Sequence, residues 1–289
     1  MKHLRHHEID FKKWDSCIQN AHNSLVYATS WYLNCVSPQW EALILDDYTA
    51  VMPLPKKKKC GISYLVQPIL TQQLGVFSAQ KIDSHTLLHC VQQIPYLSYC
   101  INLNAENSVE NAQKLPNYEL LLNKNYDELF QKFSKNAQRN IAKTQTMGIR
   151  VSAELQAHEF LNFYHAGKEH YSESYNAVIS QLIYTGLERK EISLWGAYNS
   201  DNELIAALCL LHSRNRLIYL LPISNHEGKK HMAMFAVVNE IIHRYAGSAL
   251  TLDFEGSRIE TIARFYRSFG AQEKTYFQIR RLRPKTLFG

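Results

Sequence analysis

Short runs of β-type residues and helices with one apolar side follow one another along the chain in an order that repeats. In the first half, a helix closes over Trp31 to Val36, and WEALILDD and TAVMPLPKK read as two strands around a turn at Asp46 and Asp47. The lysine run Lys56 to Lys59, with Cys60 and Gly61, separates TAVMPLP from ISYLVQPI and is expected to form the tip of a hairpin. Ile82 to Ile94 has helical spacing, and SYCINLN and YELLLN have strand composition. One basic helix is expected from about Asp127 to Met147, its apolar face marked by Phe130, Phe133, Ala137 and Ile141.

The second half starts again with a strand, IRVSA. Helices are expected at His158 to His170 and at Ala177 to Lys190, the latter ending near Gly186. Three strands follow, ISLWGAYN, ELIAALCLLH and RLIYLLPIS, joined by polar turns. A helix from about Lys230 to Tyr245 comes next, with Met234, Val237, Val238, Ile241, Ile242 and Tyr245 at helical spacing. The strand carrying Leu250, Leu252 and Phe254 and a helix carrying Tyr266 complete the pattern. This is an α/β chain of the α+β kind with a mixed sheet. Its 289 residues exceed one compact core, so two domains of roughly 140 residues each are predicted, 1–148 and 149–289, with the last strand free to pack back on the first domain.

Composition adds exclusions. With 46% hydrophobic and 20% charged residues the chain is an ordinary globular one, and no stretch approaches the roughly 20 apolar residues of a membrane span. The amino-terminal MKHLRHHEIDFKKWD lacks a secretory core, which predicts a cytoplasmic location. Cys17, Cys35, Cys60, Cys90, Cys100 and Cys209 form no C-x-x-C pair and are expected to be reduced, buried thiols. His3, His6 and His7 sit where a frayed terminus is expected, and no metal site is predicted.

Charge is placed unevenly. The formal net charge is +6, and from Gly256 onward eight basic residues (Arg258, Arg264, Arg267, Lys274, Arg280, Arg281, Arg283, Lys285) face two acids, Glu260 and Glu273. A second basic stripe, Lys132, Lys135, Arg139 and Lys143, recurs on the helix near 127–147. It is either a solvated helix face or an anion-binding surface for phosphates, RNA or a nucleotide-linked substrate. Lys135, Arg139, Lys143 and Arg258 are the candidate contacts to such a substrate, and Tyr171, in the connection GKEHYSESY, is a candidate for an acceptor pocket.

Two stretches carry chemistry. The strand ending in Asp253 and Glu255 delivers two carboxylates to a turn at Gly256, and Tyr266 follows on a helix that stops at Gly270. Tyr266 is a candidate general acid, with Glu255 and Asp253 to attract an amine or relay its proton. The competing reading makes Tyr266 a core residue on the stripe Ile259, Ile262, Tyr266, Phe269. The other stretch is NHEGKKHMAM. Ser224 or Asn225 can cap the next helix, Gly228 admits close backbone approach, and Lys229, Lys230 and His231 crowd its positive end, a pattern that suits a donor's phosphates.

Ala263, Phe265, Tyr266 and Gly270 resemble the A-x-x-F/Y-Y-x-x-x-G-F helix of the N-acetyltransferase (GNAT) superfamily, in which the tyrosine often protonates the departing thiolate of coenzyme A. That superfamily binds the coenzyme A pyrophosphate with Q/R-x-x-G-x-G/A, from which this chain departs by having Gly228 alone. A narrower resemblance is to the FemABX group. It rests on Lys135, Arg139, Asn140, Ile141, Lys143 and Gly148, on Asp253, Phe254 and Gly256, and on Phe269 with Gly270. The resemblance implies two tandem GNAT-like domains and an N-acyltransferase that moves an acyl or aminoacyl group to an amine on a small molecule or peptide. Its donor would be aminoacyl-tRNA or acyl-CoA, with no tightly bound cofactor. Two alternatives stay open: an acyl-CoA-dependent acetyltransferase, and a non-catalytic protein that binds RNA or a nucleotide-linked ligand.

Overall fold

The computed structural model of the chain describes residues 1–167 and 172–282. It divides into two compact units, residues 1–116 with those from 274 onward, and residues 117–273.

The first unit begins with a strand, not a frayed end. β1 (Lys2–Leu4) pairs antiparallel with β2 (Glu41–Leu45), and β2 with β3 (Ala50–Leu54). The Nε2 atom of His3 lies 2.7 Å from the Glu41 carboxylate, an anchor that only this register explains. The four lysines are not the hairpin tip but its first strand, β4 (Lys56–Lys59), paired with β5 (Ile62–Val66). Cys60 and Gly61 make the turn with φ of 49° and 80°. Long charged side chains suit a strand that is paired on one side only, because they discourage further pairing. Cys60 is exposed at that tip while Cys35, Cys90 and Cys209 are buried, and all six cysteines are free thiols. β6 (Phe77–Ser78) adds to β3, and β7 (Tyr99–Leu103) runs parallel to β5. Helices α1 (Phe11–Asn20), α2 (Ser30–Val36) and α3 (Ser84–Gln92) cover these sheets.

β8 (Gln113–Leu121) leads into the second unit, which contains it from Asn117. The expected basic helix is two helices, α4 (Tyr126–Gln131) and α5 (Lys135–Thr146). Ser134 is the reason: its Oγ accepts from the Ala137 amide at 3.1 Å and starts a new helix. β9 (Arg150–Ser152), α6 (Ala157–Ala166) and α7 (Glu173–Glu188) follow. α7 runs through Gly186 instead of ending there, because the missing side chain makes room for Ile192, which would lie 2.4 Å from a Cβ. β10 (Ile192–Tyr198), β11 (Leu204–His212) and β12 (Arg216–Ser224) form the three-stranded meander predicted from alternation.

The next expected helix also splits, into α8 (His226–Lys230) and α9 (Ala233–Tyr245), with Met232 between them in the left-handed region at φ 59°. β13 (Thr251–Asp253) and α10 (Glu260–Ser268) come last. Within this unit the strand order is β8-β13-β12-β11-β10-β9, antiparallel except for the parallel pair β12–β13.

The first boundary between the units falls between Pro116 and Asn117, whereas the sequence predicts a division at 148. The difference is the segment from α4 through α5, whose Leu129, Phe133, Ala137 and Ile141 are buried in the core of the second unit. The chain then returns through β14 (Gln272–Arg281), which pairs antiparallel with β7 from Phe277↔Leu103 to Arg281↔Tyr99. Among the described residues no helix is long and apolar enough to cross a membrane.

Candidate active site

The centre of the second unit is a place where two neighbouring strands part. β12 and β13 pair through Arg216↔Thr251, Leu217↔Leu252 and Ile218↔Asp253, and no further. Beyond Ile218 the outer edge of β12 has no strand partner among the described residues. A bulge helps to turn it away: Leu210 faces Tyr219 and Cys209 faces Leu221, so Leu220 is the extra residue. Backbone amides freed from a ladder in this way are available to a developing oxyanion.

Asp253 sits at the point of parting and is 1% exposed. Its Oδ2 accepts from Arg216 Nη1 at 2.8 Å, and its Oδ1 accepts from the Glu255 amide at 2.9 Å. The same Nη1 donates to Glu119 Oε1 at 2.7 Å, and Asn117 Nδ2 donates to that oxygen at 3.1 Å. Burial raises the Asp253 pKa above the ordinary carboxylate value, Arg216 pulls it down, and Glu119 pushes it up again. Arg216 is raised too: burial works against its charge, but two carboxylates outweigh that burial. The two directions are consistent, because one guanidinium serves two acids and Asp253 is the more deeply buried of them. Both Asp253 oxygens are therefore engaged within the turn. Sequence reading missed Arg216, which as the first residue of an apolar strand resembles a surface cation until the strand register sets it beside Glu119 and Asp253.

Glu255 follows with a left-handed backbone, φ 58°, and is half-buried. The Asp253 carboxylate holds this conformation through the Glu255 amide, and the Glu255 carbonyl accepts from the Tyr118 amide at 3.2 Å. Tyr266 stacks on Phe254 with centroids 5.0 Å apart and meets Tyr219 and Tyr118 at 5.9 Å each. Among the described residues no hydrogen bond reaches its hydroxyl, although the ring belongs to the core. Burial, then the charges of Glu255 and Asp253, push the Tyr266 phenol well above its ordinary pKa. Tyr219 and Phe254, from the two parted strands, touch at 5.6 Å, so rings fill the parting on the α10 side. Of the other expected members of the core stripe, Phe269 is buried, whereas Ile259 and Ile262 are exposed.

Beside this cluster lies an open groove of about 710 Å³ lined by Ser134, Asn136 and Asn140 of α5, Met232 and Phe235 of α9, and the Thr261 to Ser268 side of α10. The amino ends of two helices, of 12 and 13 residues, therefore border it. Arg264 and Arg267 also line it. Arg267 is engaged with Glu260 at 2.5 Å and the Tyr118 hydroxyl at 3.2 Å, whereas Arg264 has no ion-pair partner among the described residues.

The expected phosphate loop lies just upstream of Met232. Asn225, not Ser224, caps α8 by accepting from the Gly228 amide at 2.8 Å. The close approach that Gly228 permits is to its own sheet: a Cβ there would fall 2.0 Å from the Ile205 carbonyl oxygen. Lys229 and Lys230 are exposed, and His231 lies 3.6 Å from Glu227. Lys135, Arg139 and Lys143 are exposed along α5, and Arg258 is exposed in the turn before α10. Tyr171, Arg283 and Lys285 lie outside the described residues. Arg281, from the basic tail, instead packs over the Tyr99 ring at 4.8 Å.

Residues 131–272 match the acetyltransferase (GNAT) domain family. No curated protein sequence matches the chain. Among solved structures, that of FemX is similar with TM-score 0.69 at 11% identity, covering 96% of this chain and 97% of that one. The C-terminal domain of a putative lysylphosphatidylglycerol synthetase from Agrobacterium fabrum gives 0.57 at 7%, covering 95% and 92%. A tandem GNAT protein from the clavulanic acid biosynthesis pathway gives 0.53 at 6%, covering 98% and 99%. At such identities these likenesses concern the fold alone. The strand parting, the α10 helix and the match over residues 131–272 lead to one conclusion: residues 131–272 form an acetyltransferase (GNAT) domain, in a chain whose fold is similar to those of FemX and of a tandem GNAT protein.

Proposed function

We propose that this protein is an N-acyltransferase that moves an aminoacyl group from an ester-linked RNA donor to the amine of a small molecule or peptide, working in the cytoplasm. The observation that carries the reading is Tyr266, a tyrosine whose hydroxyl has no hydrogen-bond partner among the described residues and whose ring lies against both parted strands. The amine attacks the ester carbonyl, the new C–N bond forms, and the oxyanion is held by amides of β12 beyond Ile218. Glu255 takes the proton from the amine. The C–O bond breaks, and the leaving ribose oxygen takes the proton of Tyr266. The groove beside the site, with two helix amino ends, would hold donor phosphates.

The raised pKa of Tyr266 supports the choice of donor. A weakly acidic phenol is matched to a strongly basic leaving group, as an alkoxide is, and poorly matched to a thiolate, whose conjugate thiol has a pKa of about 8.5. Acyl-CoA is the second reading, favoured by the size of the groove and its helix amino ends.

The test offers aminoacyl-tRNA and acyl-CoA to the protein with a panel of amines and follows the products by mass spectrometry. Amide formation from aminoacyl-tRNA is expected, and Tyr266→Phe should lower turnover by about 100-fold. Its melting temperature should hardly move, because removing the hydroxyl strands no partner. Full turnover in Tyr266→Phe removes the tyrosine from the mechanism, and product from acyl-CoA alone replaces the donor.

A further inference from the structure

The apolar stripe of α10 is longer than the core that covers it. Tyr266 and Phe269 are buried, but toward the amino end of the helix Ile262 is 38% exposed and Ile259 is 60% exposed. Met232, 38% exposed, lines the same groove as Thr261 and Arg264 of α10. Three large aliphatic side chains bared on neighbouring elements are more than the scattered single residues of an ordinary surface.

The charge around them is mainly positive. Arg258 and Arg264 are exposed, as are Lys229 and Lys230, and among the described residues none of the four has an ion-pair partner. Glu260, the acid of α10, is taken by Arg267. The face therefore combines cations with uncovered aliphatic surface. Nucleic acid would satisfy the first, but its bases stack on aromatic side chains, and isoleucine and methionine offer none. The boundary between lipid headgroups and acyl chains satisfies both at once.

We propose that the amino-terminal turn of α10, with Met232, docks on an anionic lipid surface. Ile259, Ile262 and Met232 enter the interface, and Arg258 and Arg264 meet headgroup phosphates. The proposal does not rest on the acyltransfer reading, and its test measures binding alone.

The experiment is co-sedimentation with vesicles of phosphatidylcholine and with vesicles of equal parts phosphatidylcholine and phosphatidylglycerol. The protein is expected to sediment with the anionic vesicles only. Ile259→Ser combined with Ile262→Ser should weaken this by about tenfold, and Arg258→Gln with Arg264→Gln by about fivefold for each charge removed. The isoleucines are exposed, so the serine pair should keep the parent melting temperature. An Ile259→Trp reporter, whose emission should shift to the blue on vesicle addition, stands in if the pair misfolds. Absence of binding to anionic vesicles overturns the proposal. So does unchanged binding by the serine pair, which would reduce the attraction to charge alone, and so does an emission from the Ile259→Trp variant that vesicles leave in place. Loss of tRNA binding in the serine pair, with no vesicle binding by the parent, would reassign the face to RNA.

Discussion

Each unit buries one carboxylate on a strand among cations, and the two behave oppositely. In the first unit Glu41, 4% exposed, receives Lys56, the Tyr96 hydroxyl at 2.5 Å and His3 at 2.7 Å. Burial pushes its carboxyl up, but those three donors outweigh burial and hold it below the ordinary value. In the second unit Asp253 shares a single guanidinium with Glu119, and burial wins. The contrast shows that what decides the state of a buried acid is how deeply it is buried and whether a second acid competes for its cation, more than whether a cation is near. It also separates a fastening, which Glu41 is for β1 and the β4 hairpin, from an under-neutralised cluster beside a candidate catalytic tyrosine.

The sharpest way to break this comparison is Arg216→Met, which leaves Asp253 and Glu119 buried without their cation. It is expected to cost about 3 to 5 kcal/mol by denaturant unfolding, and a smaller loss would mean that the cluster is neutral already. Glu41→Gln should cost less, about 2 kcal/mol, because Lys56 and His3 are partly solvated and can turn to water. Asp253→Asn keeps an acceptor for the Glu255 amide and should cost about 1 kcal/mol. The two acids should also differ in the sign of their pH dependence. Glu41 has a lowered folded pKa, so its contribution is present above the unfolded value of 4.5 and is lost as pH falls through the folded one. Asp253 has a raised folded pKa, so the folded state gains stability as pH falls through that raised value toward 3.8. Stability curves of each variant against the parent between neutral and acid pH should therefore converge for Glu41→Gln, and for Asp253→Asn should move in the parent's favour. Parallel curves would dissolve the distinction. The smallest effect expected is that of Ser134→Ala, about 1 kcal/mol from loss of the α5 cap, read as a drop in melting temperature; no change would mean that the two helices part for another reason.

Much of the second unit could be read from its sequence because several local signals agreed. The meander β10 to β12 combines apolar runs with polar turns, and α10 shows Ala263 and Tyr266 on its buried side and Gly270 closing it at φ 82°. The helix breaks were hidden. The apolar spacing of Phe130, Phe133, Ala137 and Ile141 continues across Ser134, so periodicity cannot see a cap that redirects the backbone without interrupting the core face. Met232 is not a residue that announces a left-handed turn, and that turn sets the amino end of α9 at the groove. Gly228 was legible as a close approach but not as an approach to Ile205, since the partner of a glycine is a property of packing. The Arg216 cluster depends on the register of three strands, which no single stretch of sequence contains.

The return of β14 to β7 has a consequence for how the molecule is made. β14 gives Phe277 and Ile279 to the core of the first unit, although the ribosome synthesises them after the whole of residues 117–273. Nascent chains commonly fold from the amino terminus. Here the order is reversed: the second unit has all its strands in hand while the first still waits with one edge of β7 open, the kind of edge that recruits stray strands. A ribosome that stalls before Phe277 would thus release a sound second unit joined to an amino-terminal unit unable to close, and chaperone dependence or protease sensitivity during synthesis should concentrate in residues 1–116.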